Sequence, residues 1–457
     1  MSTLKIYNPA TTELVSEVPA DDAASVASKA QRARDAQPAW AAVPLAERKA
    51  IMSRFRASIV AELEALAAAL TSETGKPIRQ SRNELNGLLG RIDFFVDKVD
   101  AATSTETVYA EGGMTEQITH DPLGLVANIS AWNYPYFVGG NVFVPALLTG
   151  NAVLYKPSEL ASLTGLHIAR MLHAAGVPKD VFVPLIGAGG VGGALLEQNV
   201  DGVFFTGSYA TGAKIAATIG PRMLKLQLEL GGKDPTYVCE DADPKNAAES
   251  LADGAMYNAG QSCCSVERIY VHQDIHDVFV EAFLETVRGF VVGDPMSETT
   301  YIGAIARAPQ LDVLAAQIAD AQAKGAKLRI GGKRIDKRGN WFEPSVLTDV
   351  NHTMELMREE SFGPIIGIQK VSGDDEALRL MNDTRYGLTA GVFTRNEARA
   401  RNILARVNSG SVYWNCCDRV SPRLPWSGHG HSGVGVTLST YGIQALTRPK
   451  AWHLRQA

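Results

Sequence analysis

Apolar side chains recur at helical spacing through the first hundred residues of the chain. In residues 46–74 they lie three or four positions apart until a Gly-Lys-Pro stretch ends the pattern, which predicts one long helix. An alanine-rich segment at 22–40 predicts an earlier helix, and residues 79–100 predict a third. Residues 103–121 alternate and are rich in turn formers, so they predict a β-hairpin.

After residue 122, short apolar runs alternate with helical segments in two successive series. Because strands that alternate with helices form parallel sheets covered on both faces, the pattern predicts an α/β fold of two interleaved units. The first series predicts strands at 125–129, 152–155, 181–186 and 202–205 and helices at 160–175 and 189–198. The second predicts strands at 237–238, 268–271, 365–370 and 391–394 and helices at 242–258, 275–291 and 309–324.

The stretch from Pro122 to Tyr155 carries no charged side chain and is long enough to cross a bilayer. Asparagine, glycine and proline interrupt it throughout, and in lipid they would leave backbone amides without partners. The stretch therefore favours buried strands around a pocket-lining loop and a short helix, and we expect no membrane partner.

Composition narrows the classes of function. The chain has 457 residues, of which 46% are hydrophobic, so it can bury a large core in two or three domains. A formal net charge of −5 gives no indication of a nucleic-acid partner. The five cysteines show no C-x-x-C spacing and the N-terminus has no signal-peptide pattern. These features favour free thiols in the cytoplasm, without a disulfide framework or a metal site.

Three short segments carry candidate catalytic groups. Gly-Gln-Ser-Cys-Cys at 260–264 places Cys263 on a loop after a predicted helix, where its thiol is either an activated nucleophile or a buried structural side chain. Glu229 is followed by one leucine and then by two glycines. It is either a base beside a sharp turn or an exposed carboxylate at a strand end. Asn133, within Ser-Ala-Trp-Asn-Tyr-Pro, is either a donor to a developing oxyanion or a turn former.

Three other segments suit a ligand with phosphates or hydroxyls. The Gly-Ser turn between a strand and a helix at 204–212 suits an anion, although its G-x-x-x-x-G spacing is not the usual dinucleotide pattern. Lys156 and Glu159 follow a strand and either hold ribose hydroxyls or pair with each other. The loop at 359–364 has two carboxylates and Phe362 before Gly-Pro, and is either a binding loop or a solvated acidic turn.

The order and spacing of these segments together resemble the aldehyde dehydrogenase superfamily. The resemblance covers nearly the whole chain, from Asn-Pro-Ala-Thr near the N-terminus to Ser-Gly-x-Gly at 432–435. It implies that Cys263 is the nucleophile and that Glu229 is the general base. It further implies that Asn133 stabilises the oxyanion together with the backbone N–H of Cys263.

The resemblance also implies a nicotinamide cofactor. The residues that match cofactor contacts in the family are Trp132, Lys156, Ser158, Glu159, Gly207, Ser208, Gly231, Glu360 and Phe362. A carboxylate near the ribose accepts a hydrogen bond from the 2′-hydroxyl and repels a 2′-phosphate. Glu159 therefore favours NAD, with NADP as the alternative.

The implied reaction is oxidation of an aldehyde to its acid through a thioester on Cys263, which water activated by Glu229 hydrolyses. Relatives that transfer the acyl group to coenzyme A usually lack this glutamate, so an acylating enzyme is the lesser alternative. A binding protein that keeps the fold without turnover is the non-enzymatic alternative.

The substrate pocket is expected to involve Tyr134, Ser262, Cys264, Cys416, Arg419 and Trp426. Arg419 and Arg423 either attract a substrate carboxylate, as in succinate semialdehyde, or are solvated. The aromatic side chains instead suit an apolar or aromatic aldehyde.

One departure concerns the proton path. Many members of the family carry an Arg-Glu pair after Ser-Gly-x-Gly, where this chain has Val436 and Thr437. A relay through that glutamate is therefore either absent or routed otherwise.

The family pattern also divides the chain into domains. It places a cofactor-binding domain at 1–102 and 123–229, a catalytic domain at 230–432, and oligomerisation elements at 103–122 and 443–457. We therefore expect a homodimer or homotetramer.

Overall fold

The computed structural model describes residues 3–417 and 419–456. The chain opens with a hairpin and four helices: β1 (Thr3–Tyr7), β2 (Leu14–Pro19), α1 (Ala23–Ala41), α2 (Leu45–Ala61), α3 (Leu63–Thr74) and α4 (Ile78–Thr103). The prediction of a single helix at 46–74 is wrong, because the segment forms two helices, α2 and α3. The backbone leaves helical geometry between them at Glu62, with φ −111° and ψ 13°. The Glu62 carboxylate accepts hydrogen bonds from Arg170 at this break. The apolar period continues across it, so the pattern alone does not reveal it.

A three-stranded antiparallel sheet joins two distant parts of the chain. The predicted hairpin is confirmed as β3 (Glu106–Glu111) and β4 (Met114–Pro122). The last strand, Thr447–Arg455, pairs with β4 along its whole length. Most residues of β3 and of this last strand are exposed.

The first α/β series follows the predicted alternation closely. Its elements are β5 (Leu125–Ile129), α5 (Pro135–Leu148), β6 (Ala152–Lys156), α6 (Ser162–Ala175), β7 (Phe182–Pro184), α7 (Gly189–Leu196), β8 (Gly202–Thr206), α8 (Tyr209–Ile219) and β9 (Lys225–Glu229). Every residue of β5, β6 and β8 is buried, as expected of parallel strands covered on both faces.

The second series builds a seven-stranded sheet. Its elements are β10 (Asp234–Val238), α9 (Pro244–Met256), β11 (Val266–His272), α10 (His276–Arg288), α11 (Ala308–Ala323), β12 (Lys327–Ile330), β13 (Ser345–Thr348), β14 (Ile365–Val371), α12 (Asp374–Asn382), β15 (Thr389–Phe393), α13 (Glu397–Leu404) and β16 (Ser411–Trp414). The order is β12-β13-β14-β11-β10-β15-β16, and β12 at one edge is antiparallel.

The chain then returns to the first sheet. The final elements are β17 (Gly433–Val434), α14 (Ser439–Gln444) and β18 (Thr447–Arg455). β17 pairs antiparallel with β9, which completes a six-stranded sheet in the order β17-β9-β8-β5-β6-β7. The two large sheets have separate apolar cores. Within the described ranges, no helix is long and apolar enough to span a membrane.

Candidate active site

The candidate side chains meet where the parallel strands of the six-stranded sheet end. Asn133 follows β5, Lys156 ends β6, Gly207 follows β8 and Glu229 ends β9. The chain runs outward from β5 through β6 to β7, and then adds β8 on the other side of β5. Ligands of open α/β sheets bind at the carboxyl ends of the strands beside such a reversal.

Cys263 lies on a tight loop that leaves α9 through three left-handed residues. Asn258, Ala259 and Gly260 have φ angles of 53°, 55° and 70°. Such backbone is costly for residues other than glycine and persists only where the surroundings impose it. At Gly260 a Cβ would lie 2.2 Å from the carbonyl oxygen of Gly363, so only glycine fits. Cys263 is partly exposed on this loop.

Two asparagine amides connect the Asn133 loop to the cysteine loop. Asn133 Nδ2 donates to the carbonyl oxygen of Gln261 over 3.1 Å. Asn258 Nδ2 donates to the carbonyl oxygen of Asn133 over 3.3 Å. All three residues are buried, so the Asn133 amide is held beside the backbone that leads into Cys263. The sequence indicates Asn258 only as part of a helix stop and does not show this bridging role.

Glu229 is 6% exposed and lines the same cavity as Cys263. Thr437 Oγ1 donates a hydrogen bond to Glu229 Oε1. Burial raises the pKa of the Glu229 carboxyl to about 7, while this hydrogen bond and the charge of Arg91 act in the opposite direction. A carboxylate with a pKa near neutrality is suited to take a proton from water at physiological pH.

Two glycines after Glu229 allow close backbone approach on both sides. A Cβ at Gly231 would lie 2.2 Å from Glu360 Oε1, and a Cβ at Gly232 would lie 2.7 Å from the carbonyl oxygen of Cys263. The turn that follows the Glu229 strand therefore runs directly beside the cysteine loop and the Glu360 carboxylate.

A cavity of about 450 Å³ contains both Cys263 and Glu229 in its wall. Of the expected pocket residues, those that line it are Tyr134, Ser262, Cys264, Arg419 and Trp426. Cys416 and the exposed Arg423 are not among the lining residues. The neighbouring Cys417, whose thiol donates to the carbonyl oxygen of Ser250, lines the cavity instead.

Several polar or aromatic side chains that line the cavity were not among the predicted pocket residues, and three of them lie close together. They are Arg91 on α4 and Phe137 and Asn141 on α5. Arg91 lies in a helical pattern of ordinary composition, whereas Phe137 and Asn141 lie in the uncharged stretch that was predicted to be buried. Only the packing of the two helices brings the three side chains to the same cavity.

Lys156 and Glu159 lie together beyond the end of β6. Lys156 Nζ is 3.8 Å from Glu159 Oε2 and donates to the carbonyl oxygen of Pro157 over 2.9 Å. The lysine is buried, whereas the Glu159 side chain is 45% exposed. Between them, Ser158 Oγ accepts the N–H of Leu160. The pair thus forms an ion pair and still presents a carboxylate to a ligand.

The Gly207-Ser208 turn leads into the N-terminus of α8. Ser208 is the N-cap of that helix, and its Oγ accepts the N–H of Thr211 over 3.4 Å. The N–H of Gly207 donates to the carbonyl oxygen of Glu229 over 3.0 Å, which fixes the turn to the end of β9. The remaining N–H groups of the first helical turn suit a phosphate.

The loop that carries Glu360 and Phe362 is fixed by buried Glu267, another residue that the sequence analysis missed. Glu267 accepts the N–H groups of Ser361 and Phe362 over 2.9 and 3.0 Å. Glu360 Oε1 accepts the N–H of Gly232 over 3.1 Å. The Phe362 ring packs edge-to-face against Trp132 at 5.7 Å between centroids, so the two aromatic candidates lie together.

Known proteins resemble this chain over its whole length. The sequence model of the aldehyde dehydrogenase family matches residues 1–452. The 3,6-anhydro-alpha-L-galactose dehydrogenase of Streptomyces coelicolor is 34% identical over 461 residues, which cover 100% of this chain and 94% of that protein.

Solved structures share the fold. An NAD-dependent aldehyde dehydrogenase from Sinorhizobium meliloti has a TM-score of 0.96 at 32% identity, with 99% of this chain and 91% of that chain covered. An NADP-dependent enzyme from E. coli has a TM-score of 0.97 at 28% identity, with 100% of this chain and 95% of that chain covered.

Proposed function

Because the chain belongs to the aldehyde dehydrogenase family, and so is an oxidoreductase that acts on aldehydes, we propose that it forms a free carboxylic acid through a thioester on Cys263. The observation that carries the proposal is the single cavity shared by Cys263 and Glu229, with a pKa for the Glu229 carboxyl near neutrality. This geometry supports Cys263 as the nucleophile and Glu229 as the base, and the hydrogen bond of Asn133 to the cysteine loop supports its role as the oxyanion donor.

The first step is attack of the Cys263 thiolate on the carbonyl carbon of the aldehyde. The oxygen gains negative charge, and the Asn133 amide, fixed beside the cysteine loop, donates a hydrogen bond to it. The chemistry that a bound nicotinamide supplies is acceptance of a hydride, which leaves a thioester on Cys263.

Hydrolysis of the thioester is then the task of Glu229. The ionised carboxylate takes a proton from water as the water oxygen attacks the thioester carbon. The carbon–sulfur bond breaks, the acid leaves, and Cys263 is regenerated as a thiolate. The high pKa of Glu229 makes it a stronger base than an exposed glutamate, while it remains partly ionised at neutral pH.

The residues at the strand ends fit a nicotinamide dinucleotide. The free N–H groups at the start of α8, beside Gly207 and Ser208, suit the pyrophosphate. Carboxylates at Glu159 and Glu360 and the Lys156 ammonium group suit ribose hydroxyls. We favour NAD because the exposed Glu159 carboxylate repels a 2′-phosphate, although the nearby Lys156 offsets part of that charge.

The test is aldehyde-dependent reduction of NAD by the wild-type chain and by Cys263→Ala. The rate of NAD reduction is expected to fall by several orders of magnitude in the variant, because the covalent route through Cys263 is no longer possible. Cys416→Ala is the matched control, since that thiol does not line the cavity. A Cys263→Ala rate near that of the wild type would overturn the mechanism.

The competing activity is acyl transfer to coenzyme A. Glu229 argues against it, because a base that activates water beside the thioester diverts the acyl group to the acid. Chromatography of the product, with coenzyme A in the assay, separates the two activities. Free acid is expected, and acyl-coenzyme A as the main product would replace the proposal.

Assembly into a dimer or tetramer is proposed from the three-stranded sheet. Its exposed apolar side chains include Val108, Tyr109, Trp452 and Leu454, at 40–50% exposure. A second copy would cover such a surface. Light scattering at micromolar concentration is expected to give a multiple of 49.0 kDa, and a monomer would contradict this.

A further inference from the structure

A buried cation forms part of the wall of the substrate cavity. Arg91 is only 5% exposed and lines the cavity that contains Cys263 and Glu229. Placing a guanidinium group in such a position is costly unless an anion or several acceptors compensate its charge.

The guanidinium group is held in one orientation by neutral groups. Its Nε donates to Asn141 Oδ1 over 3.1 Å, and Nη1 donates to the carbonyl oxygen of Gly87 over 3.2 Å. Its central carbon lies 3.7 Å from the centroid of the Phe137 ring. A Cβ at Gly87 would lie 2.5 Å from that ring, so the glycine makes room for the stack. The cation is therefore fixed before any ligand enters.

No aspartate or glutamate in the described ranges forms an ion pair with Arg91. The carboxylate of Glu84, on the same helix, is committed to buried Lys76, with which it forms an ion pair. Glu229 interacts with Arg91 electrostatically, but its hydrogen-bonding partner is Thr437 and it forms no ion pair with the guanidinium group. At the cavity rim, Asp253 accepts the hydroxyl of Tyr301. Glu84 and Glu229 thus act on the Arg91 charge only through space, and neither pairs with it directly.

The rest of the cavity suits a short chain with an acid at one end. Phe137, Val138 and Trp426 provide apolar wall, and Arg419 adds a second positive charge. We propose that Arg91 binds a carboxylate of the substrate, and that the substrates of this enzyme are short ω-oxo acids. The proposal rests on the aldehyde oxidation proposed above, because the carbonyl carbon must reach Cys263 while the acid reaches Arg91.

The test compares 4-oxobutanoate with its neutral analogue 4-oxobutanamide. Both are assayed at about pH 8.5, so that Glu229 is ionised in every variant. The wild type is expected to favour the acid in kcat/KM by about ten- to a hundredfold, the range of a charge-assisted hydrogen bond. Arg91→Met should lower that ratio at least about tenfold, mainly through KM for the acid, and Arg91→Lys should restore part of it.

Arg423→Met is the matched control, because this exposed arginine does not line the cavity. It should leave the ratio unchanged. A wild-type enzyme that oxidises both compounds equally, or that prefers a neutral hydroxylated aldehyde such as glyceraldehyde, would overturn the proposal. An equal loss for both compounds in Arg91→Met would also overturn it, since that indicates a structural role.

A second readout does not depend on turnover. Succinate should slow alkylation of Cys263 by iodoacetamide in the wild type and in Arg423→Met, and should do so much less in Arg91→Met. Circular dichroism verifies that each variant is folded. If no aldehyde is oxidised yet succinate protects, the proposed reaction fails while the anion site stands. If aldehydes are oxidised and succinate gives no protection, the anion site fails alone.

Discussion

The hydroxyl of Thr437 donates a hydrogen bond to the carboxylate of Glu229. The contact arises because β17 pairs with β9, which places Gly433 opposite Glu229 and brings the following turn over the carboxylate. A glutamate next to the Ser-Gly-x-Gly motif, as the family resemblance suggests for many members, would bring a second negative charge to this region. Threonine instead supplies a donor that favours the ionised form of the base.

The pKa of Glu229 predicts a pH dependence for the hydrolytic step. The carboxyl must lose its proton to act as a base, and its pKa is about 7, so hydrolysis should rise with pH through about 7 and then level off. Single-turnover hydrolysis of a preformed acyl-enzyme measures this step directly. Glu229→Gln should remove the rise along with most of the rate. A wild-type profile that is flat from about pH 5.5 to 8.5 would count against Glu229 as the base.

Removing the Thr437 hydroxyl should move that profile. Thr437→Val deletes a hydrogen bond that lowers the pKa of Glu229, so the midpoint should shift upward by roughly half to one pH unit, corresponding to about 1 kcal/mol. Thr437→Ser keeps the donor and should behave as the wild type. A lower rate with no shift of midpoint in Thr437→Val would mean that the threonine acts by packing alone.

The Glu159 carboxylate predicts the cofactor preference. In Glu159→Gln the repulsion of a 2′-phosphate is lost while Lys156 remains, so the ratio of kcat/KM for NAD over NADP should fall by about ten- to a hundredfold. Glu197→Gln, at an exposed carboxylate after α7, serves as the control. An unchanged ratio would remove Glu159 from cofactor selection.

Gly231 tests the placement of Glu360. In Gly231→Ala the new Cβ would overlap the Glu360 carboxylate, which must move away from its hydrogen bond with Gly232. The dissociation constant for NAD should rise about tenfold or more, since overpacking of this kind costs about 1–3 kcal/mol. Gly220→Ala is the control, because a Cβ there meets no atom within 4 Å. Equal NAD affinity in both variants would show that Glu360 does not hold the dinucleotide.

The central strands β5, β6 and β8 of the first sheet were predictable because every residue in them is buried. Parallel strands buried on both faces appear as unbroken apolar runs, and β5 matches its predicted bounds at both ends. The edge strands β12 and β16 were missed, because four residues of alternating exposure give too short a signal. The two-residue strand β17 exists only through its pairing with β9, which no local pattern encodes.

The candidate site shows the same contrast between residues that a local sequence pattern reveals and residues that only the tertiary structure reveals. Cys263, Glu229 and Asn133 stand in recognisable motifs. In the structure Cys263 and Glu229 line one cavity, and Asn133 is hydrogen-bonded to the loop that carries Cys263. Arg91 gave no signal, since an arginine within an amphipathic helix is usually solvated. Its burial results from Phe137 and Asn141 of a different helix. Thr437 was visible as a departure from the family pattern, but its contact with Glu229 required the tertiary structure.

The return of the chain to its first sheet has a consequence for biosynthesis. A ribosome delivers the strands β5 to β9 early, and N-terminal units generally begin to fold while synthesis continues. The Glu229 carboxylate nevertheless receives its Thr437 partner, and β9 its last neighbour, only when the final segment of the chain has emerged. A nascent chain stopped short of residue 433 would therefore hold the thiol-bearing loop without the finished surroundings of its proposed base. The proposed base therefore acquires its complete hydrogen-bonding surroundings only at the end of synthesis.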